Sequence, residues 1–281
     1  MPGRVLVLGA SGMVGRAWCG LLTAHGVPHR ALTRPAFDQD RPDSVAATVE
    51  AGDGLVINAA AWTDVDGAES QEAAATRANA DAAGALAQAC HRLGAFLVHY
   101  STDYVFNGAA EHAYGVDAPI DPVNAYGRSK AAGETAVRAA LPDRHLLIRT
   151  SWVYAPWGRN FVRTIAGLAA TRESLRVVGD QRGRPTSAEE LARTSLGLYL
   201  AGATGTWHAT DGGECTWHGF ASEIVARLGL ACRVEACTTA EFPRPARRPA
   251  VSTLDVAATE RLVGALTPWQ VALARVLCRL V

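Results

Sequence analysis

Gly9-Ala-Ser-Gly12-Met-Val-Gly15 follows directly on the apolar run Arg4-Val-Leu-Val-Leu8, and few features restrict a fold more. A short buried strand that ends in regularly spaced glycines and continues as a helical pattern makes a tight strand-turn-helix unit. Glycine lets the backbone turn sharply and approach a pyrophosphate, which the free N–H groups of the helix start then hold. The spacing is GxxGxxG rather than GxGxxG, so the glycines alone say little. Their place between strand and helix gives them force, and Gly9, Ser11 and Gly12 are expected to lie against a dinucleotide.

The chain beyond repeats this theme. Val5–Leu8, Leu55–Asn58, Phe96–Tyr100 and Leu146–Arg149 are continuous apolar runs, as strands covered on both faces should be. His29–Thr33 reads as a weaker strand and 41–51 as a short helix. The Ala-rich stretches 68–93 and 126–140 read as helices. Alternating strands and helices predict an α/β fold, a Rossmann-like doubly wound parallel sheet. After Thr150 the pattern loosens, with helices expected near 159–171, 187–201, 217–228 and 268–280 and strands at 175–178 and 205–209. The Pro- and Arg-rich segment 242–249 reads as a loop. Residues 1–150 are thus expected to form the dinucleotide-binding domain. Residues 151–281 should form a smaller, mainly substrate-binding portion, partly interleaved with it.

Lys plus Arg and Asp plus Glu number 27 each, which argues against a general nucleic-acid binder. The six cysteines are scattered without a CxxC pair, so neither a zinc site nor a disulfide framework is indicated. No apolar run has the length of a membrane span, and Arg4–Gly9 is too short for a signal segment. A cytoplasmic protein is the expectation.

One count is odd. Among 27 basic side chains, a single lysine, Lys130, stands four residues after Tyr126 in Asn124-Ala-Tyr-Gly-Arg-Ser-Lys130. An ammonium is a compact charge where guanidinium is a wide planar fork. Positions i and i+4 share a helix face, and a close cation lowers the pKa of a tyrosine. Thr102 ends the fourth strand, on the side where open α/β sheets place their ligands. Tyr126, Lys130 and Thr102 together suit carbonyl reduction by a nicotinamide hydride. Tyr126 would donate the proton, Lys130 would tune it, and Thr102 would polarise the carbonyl. At the end of the second strand, Arg34 suits a 2′-phosphate, so NADPH is expected, with NADH the alternative.

With the segments NAAAWTDVD (58–66), HYSTDYVF (99–106), NAYGRSKAAGE (124–134), RTSWVYA (149–155), GDQRGRPT (179–186), TWH (216–218) and RPAVSTLD (248–255), the chain resembles the dTDP-4-dehydrorhamnose reductase family. That family belongs to the extended short-chain dehydrogenase/reductases, and the segments span nearly the whole chain. The resemblance implies NAD(P)H-dependent reduction of the C4 ketone of a dTDP-4-keto-6-deoxy-sugar. It places Gly12, Met13, Val14, Asp38, Gln39, Ala61, Trp62, Thr63, Tyr100, Tyr126 and Lys130 at cofactor contacts. It places Thr102, Asp103 and Trp152 at the sugar nucleotide. Tyr104 is grouped with them, packing through its ring being the alternative. Arg182 and Arg184, with Arg247 and Arg248, offer two cationic pairs for a diphosphate, of which Arg182 and Arg248 are taken as substrate contacts. His99 reads as a satisfied core histidine.

The resemblance has gaps. Some relatives bridge a dimer with Mg2+ held by glutamates. Here Ala17 stands at one ligand position while Glu189 remains, so no metal site is assigned and a monomer or weak homodimer is expected. Dehydratases of this fold follow Thr-Asp with Glu, and this chain has Tyr104 there. A reductase of another antibiotic sugar, such as a dihydrostreptose type, is one alternative. A non-catalytic NADP-binding regulatory subunit is another, against which the intact Thr102, Tyr126 and Lys130 argue.

Overall fold

In the computed structural model, which describes residues 3–280, the first half of the chain lays down five strands. They are β1 (Arg4–Leu8), β2 (His29–Leu32), β3 (Asp53–Asn58), β4 (Phe96–Thr102) and β5 (His145–Thr150). A sixth, Gly205–His208, joins them from the second half and pairs parallel with β5. Counting from that edge, the order is Gly205–His208, β5, β4, β3, β1, β2, and every pairing in the sheet is parallel. The expected doubly wound α/β architecture is present.

Side chains of a strand alternate between the two faces, and both faces here are covered. Val5 and Val7 of β1 join Trp18, Leu22 and Leu191 in one core, whereas Leu6 and Leu8 join Leu86, Leu97 and Val137 in the other. This double covering is why β1, β3, β4 and β5 read as unbroken apolar runs. At the sheet's outer edge β2 is half-exposed, which accounts for its weaker pattern.

Two expectations needed revision. The helix read over 68–93 is broken into Val65–Ser70, Glu72–Thr76, a π-helical turn Arg77–Asp81, and Ala82–Leu93. Ala-rich composition hides these breaks, because alanine supports a helix in any register. The π turn has a use: Asn79 accepts from the Trp62 backbone at 2.9 Å and donates to Ser129 at 2.9 Å. The helix expected over 41–51 spans only Pro42–Ala46. The strand Gly205–His208 completes the main sheet.

The remaining second-half elements form a smaller layer. Ser174–Val178 pairs parallel with Arg233–Cys237. Helices Phe161–Ala169, Trp217–Arg227 and Trp269–Leu277 close on Ile165, Phe220, Ile224 and Leu273. Residues 242–249 have no regular secondary structure.

Candidate active site

Between β1 and β3 the strand order reverses, and the crevice at their C-terminal ends is where such sheets take a dinucleotide. Gly9 turns the chain out of β1 at φ +74, and a Cβ there would lie 2.8 Å from the Ala60 nitrogen. A Cβ on Gly15 would lie 2.2 Å from the Gly9 carbonyl oxygen, so the helix Met13–Ala24 packs as closely as it does only with glycine. That helix starts without a capping side chain and without an acidic residue in its first turn. Its first N–H groups are left for an anion. The cradle therefore fits a pyrophosphate.

A cleft of about 660 Å3 opens there. Its lining includes Gly9, Ser11, Gly12, Met13, Val14, Arg34, Gln39, Ala61, Thr63, Tyr100, Tyr126 and Lys130, which gathers twelve of the fourteen cofactor candidates. Asp38 and Trp62 are not in the lining. Asp38 is drawn to Arg34 at 3.2 Å, and the Trp62 indole donates to the Asp64 carbonyl at 2.8 Å. Arg34 also meets Asp40 at 2.7 Å, so two carboxylates share the guanidinium offered to a 2′-phosphate. The lining further includes Thr33, Phe37, Thr150, Val153, Gly158 and Arg159, none of which was singled out from the sequence. Gly158 and Arg159 sit in a loop beyond β5 where no periodicity or motif points to a nucleotide.

Helix Ala125–Ala140 brings the reactive pair to this cleft. Asn124 caps it by accepting from Gly127 at 2.7 Å. Lys130 is 2% exposed and its Nζ donates to the Tyr100 carbonyl at 2.6 Å. Burial lowers its pKa to about 8, against a smaller raising effect from Glu134. Glu134 cannot neutralise the ammonium directly, because its carboxylate is spent elsewhere. It takes a two-pronged bond from Arg149 at 2.8 Å and 2.8 Å, one from Ser101 at 2.6 Å, and an ion pair with Arg138.

Burial pushes the Tyr126 phenol up to about 12, while the adjacent Thr102 hydroxyl pulls it down and Asp103 pushes it up. The tyrosine therefore stays protonated at neutral pH, as a proton donor must. Thr102 donates to Asp103 at 3.0 Å and accepts from the Tyr104 backbone at 3.2 Å. Asp103 is itself buried, which raises its pKa to about 7, and its Oδ2 has no hydrogen-bond partner among the described residues. The Tyr100 side chain turns away into the core, accepting from Trp18 at 2.6 Å and donating to Ser195 at 2.8 Å. Its main-chain carbonyl is what serves the site. His99 is buried and neutral with Nδ1 against Asn58 at 3.0 Å, but Nε2 has no partner among the described residues, so it is only half satisfied.

The expected substrate contacts divide into two groups. Tyr104 packs edge-on against Tyr126 with ring centres 6.0 Å apart, and the Arg248 guanidinium lies 5.8 Å from the Tyr104 ring. These side chains and Thr102 gather around Tyr126. Trp152 stacks on Trp217 at 3.6 Å, and the exposed Arg182 pairs with Glu214. None of the expected substrate contacts, Thr102, Asp103, Tyr104 and Arg248 included, is part of the cleft lining. Trp152 is the one non-glycine among the described residues with a positive φ, at 47°. Such a backbone is held only where its surroundings enforce it, here by the stack on Trp217 and contact with Gly183.

Among the described residues, no three His, Cys, Asp or Glu side chains gather as a metal site. Glu189 is held by Arg279 at 2.8 and 2.9 Å.

A family model described as "RmlD substrate binding domain" matches residues 3–281. A Burkholderia thailandensis protein named dTDP-4-dehydrorhamnose reductase is 43% identical, with 96% of each chain covered. A Streptomyces niveus protein named dTDP-4-keto-6-deoxy-D-glucose reductase is 42% identical over 82% of this chain and 80% of its own. The crystal structure of a Bacillus anthracis dTDP-4-dehydrorhamnose reductase in complex with NADP superposes with a TM-score of 0.93. It is 33% identical, and 99% of each chain is covered.

Proposed function

This chain belongs to the RmlD substrate binding domain family, and from that premise we propose that it reduces the C4 ketone of a dTDP-4-keto-6-deoxy-sugar with NADPH. The observation that carries the reading is one cleft lined by the glycine turn together with Tyr126 and Lys130, with the Thr102 hydroxyl beside Tyr126.

NADPH, when bound, supplies the hydride. The protein's own residues do the rest. The glycine turn and the start of helix Met13–Ala24 would hold the cofactor pyrophosphate, and Arg34 would hold a 2′-phosphate. Thr102 and Tyr126 hold the ketone oxygen, and Tyr126 delivers the proton as negative charge grows there. Lys130 stabilises the resulting phenolate across the shared helix face. Asp103, Tyr104, Trp152, Arg182 and Arg248 serve the sugar nucleotide. Residues 151–281 act mainly as the substrate side.

We further infer a monomer or weak homodimer in the cytoplasm. Ala17 offers no carboxylate to a bridging metal, and all six cysteines are free thiols.

The test is NADPH oxidation, followed by its near-ultraviolet absorbance, with freshly made dTDP-4-keto-6-deoxyglucose, with and without a 3,5-epimerase. Turnover only with the epimerase assigns the rhamnose-type ketone, and turnover without it assigns another deoxysugar, identified by NMR of the product. Tyr126→Phe should cut kcat by roughly 10^2–10^4 while leaving the NADPH dissociation constant unchanged. No ketone-dependent oxidation in either mixture, with NADPH still bound, would overturn the reductase reading in favour of a regulatory protein.

A further inference from the structure

The irregular segment 242–249 is tied down by a single carboxylate on the other half of the chain. Asp66 accepts at Oδ2 from Arg244 Nε at 3.0 Å, and at Oδ1 from the Ala246 backbone at 3.2 Å and Arg248 Nη2 at 3.0 Å. A second tie runs from Asn124, which donates to the Arg247 carbonyl at 2.8 Å while capping the helix that carries Tyr126. The strap is thereby fixed to two elements that flank the reactive pair.

The way Asp66 divides its bonds matters. Arg248 gives Nη2 to the carboxylate, but its Nη1 is buried and has no hydrogen-bond partner among the described residues. A buried unpaired N–H of a charged group is costly to leave so. Purely structural guanidinium–carboxylate pairs tend to close both prongs, as Arg149 and Glu134 do in this molecule. Arg248 also lies over Tyr104, whose ring meets Tyr126 edge-on. With Arg244, Arg247 and Arg248 against one Asp66, the strap stays cationic after the ion pairs are counted.

We propose that Asp66 is a positioning residue for the substrate. Its carboxylate pins the strap and aims the free Nη1 of Arg248 at a phosphoryl group of the sugar nucleotide. The proposal rests on the nucleotide-sugar reading above and adds the residue that presets its anion contact. Asp66 touches neither the ketone nor the cofactor cleft, so its loss acts on substrate affinity.

The test is calorimetric titration of the full chain with dTDP and, separately, with inorganic pyrophosphate, for wild type, Asp66→Asn and Asp66→Glu. Asp66→Asn should weaken dTDP and pyrophosphate alike by about tenfold or more, the worth of one charge-assisted contact. NADPH affinity and melting temperature should stay at wild-type values, Asp66→Glu should regain part of the loss, and KM should rise by more than kcat falls. Equal dTDP affinity in Asp66→Asn and wild type would overturn the proposal. So would a loss for dTDP with none for pyrophosphate, or a parallel loss of dTDP affinity, NADPH affinity and melting temperature, which marks a structural staple. A wild type that binds NADPH but no dTDP would sink the nucleotide-sugar reading itself, and this inference with it.

Discussion

Lys130 costs the fold stability, and replacing it with methionine should show how much. Burial lowers its pKa from 10.5 to about 8, so below pH 8 the folded protein holds a charge that the unfolded chain accommodates more easily. At about 1.4 kcal/mol per pH unit, that displacement amounts to ~3 kcal/mol. The sign follows from linkage: the unfolded chain binds the proton more tightly, so the penalty is full below pH 8 and disappears as pH rises toward 10.5. Lys130→Met removes the penalty but leaves the Tyr100 carbonyl without its donor, a pH-independent loss of about 1–2 kcal/mol. At pH 7 the variant should be inactive yet more stable by about 1–2 kcal/mol, or ~2–3 °C in melting temperature for a chain of this length. Between pH 7 and pH 9 the advantage should shrink by about 1 kcal/mol, because only the proton-linked part responds. Differential scanning calorimetry of both proteins at the two pH values, without nucleotide, reads this directly. A melting difference that is the same at pH 7 and pH 9 would refute the claim that Lys130 is a desolvated ammonium.

Other perturbations test neighbouring parts of the site. Glu134→Gln leaves Arg149 buried without its counter-charge, and should cost about 3–5 kcal/mol, lowering the melting temperature by ~5–8 °C. Arg34→Ala should raise the dissociation constant for NADPH by about tenfold and leave that for NADH unchanged. The effect is held to that size because Asp38 and Asp40 share the guanidinium; equal effects on both cofactors by fluorescence titration would contradict it. Lys130→Arg should lose about 10^2-fold or more in kcat with its circular dichroism spectrum retained, since a planar fork cannot replace a compact ammonium in that site.

Much of the architecture was legible because it rests on local rules. β1, β3, β4 and β5 are covered on both faces and so wrote themselves as apolar runs, and the glycine turn marked the first strand-to-helix crossing. Tyr126 and Lys130 share a helix face by spacing alone. What stayed hidden depends on contacts distant in sequence. Gly158 and Arg159 reach the cofactor cleft only through the fold of the loop after β5, and Trp152 meets Trp217 rather than the cleft. Asp38 is diverted by Arg34, a competition that spacing does not reveal. The π turn at Arg77–Asp81 was invisible in a run of alanines, although Asn79, its one polar anchor, was in plain view.

The strand Gly205–His208 has a consequence for how the protein can be made. During synthesis the nucleotide-binding sheet remains unfinished after Thr150 has emerged, since β5 has no outer neighbour until the ribosome has passed His208. Until then β5, apolar on both faces, presents an open row of backbone donors and acceptors to any passing strand. A fragment cut after Thr150 to serve as a portable cofactor module would keep that open edge permanently, and would be prone to pair with copies of itself.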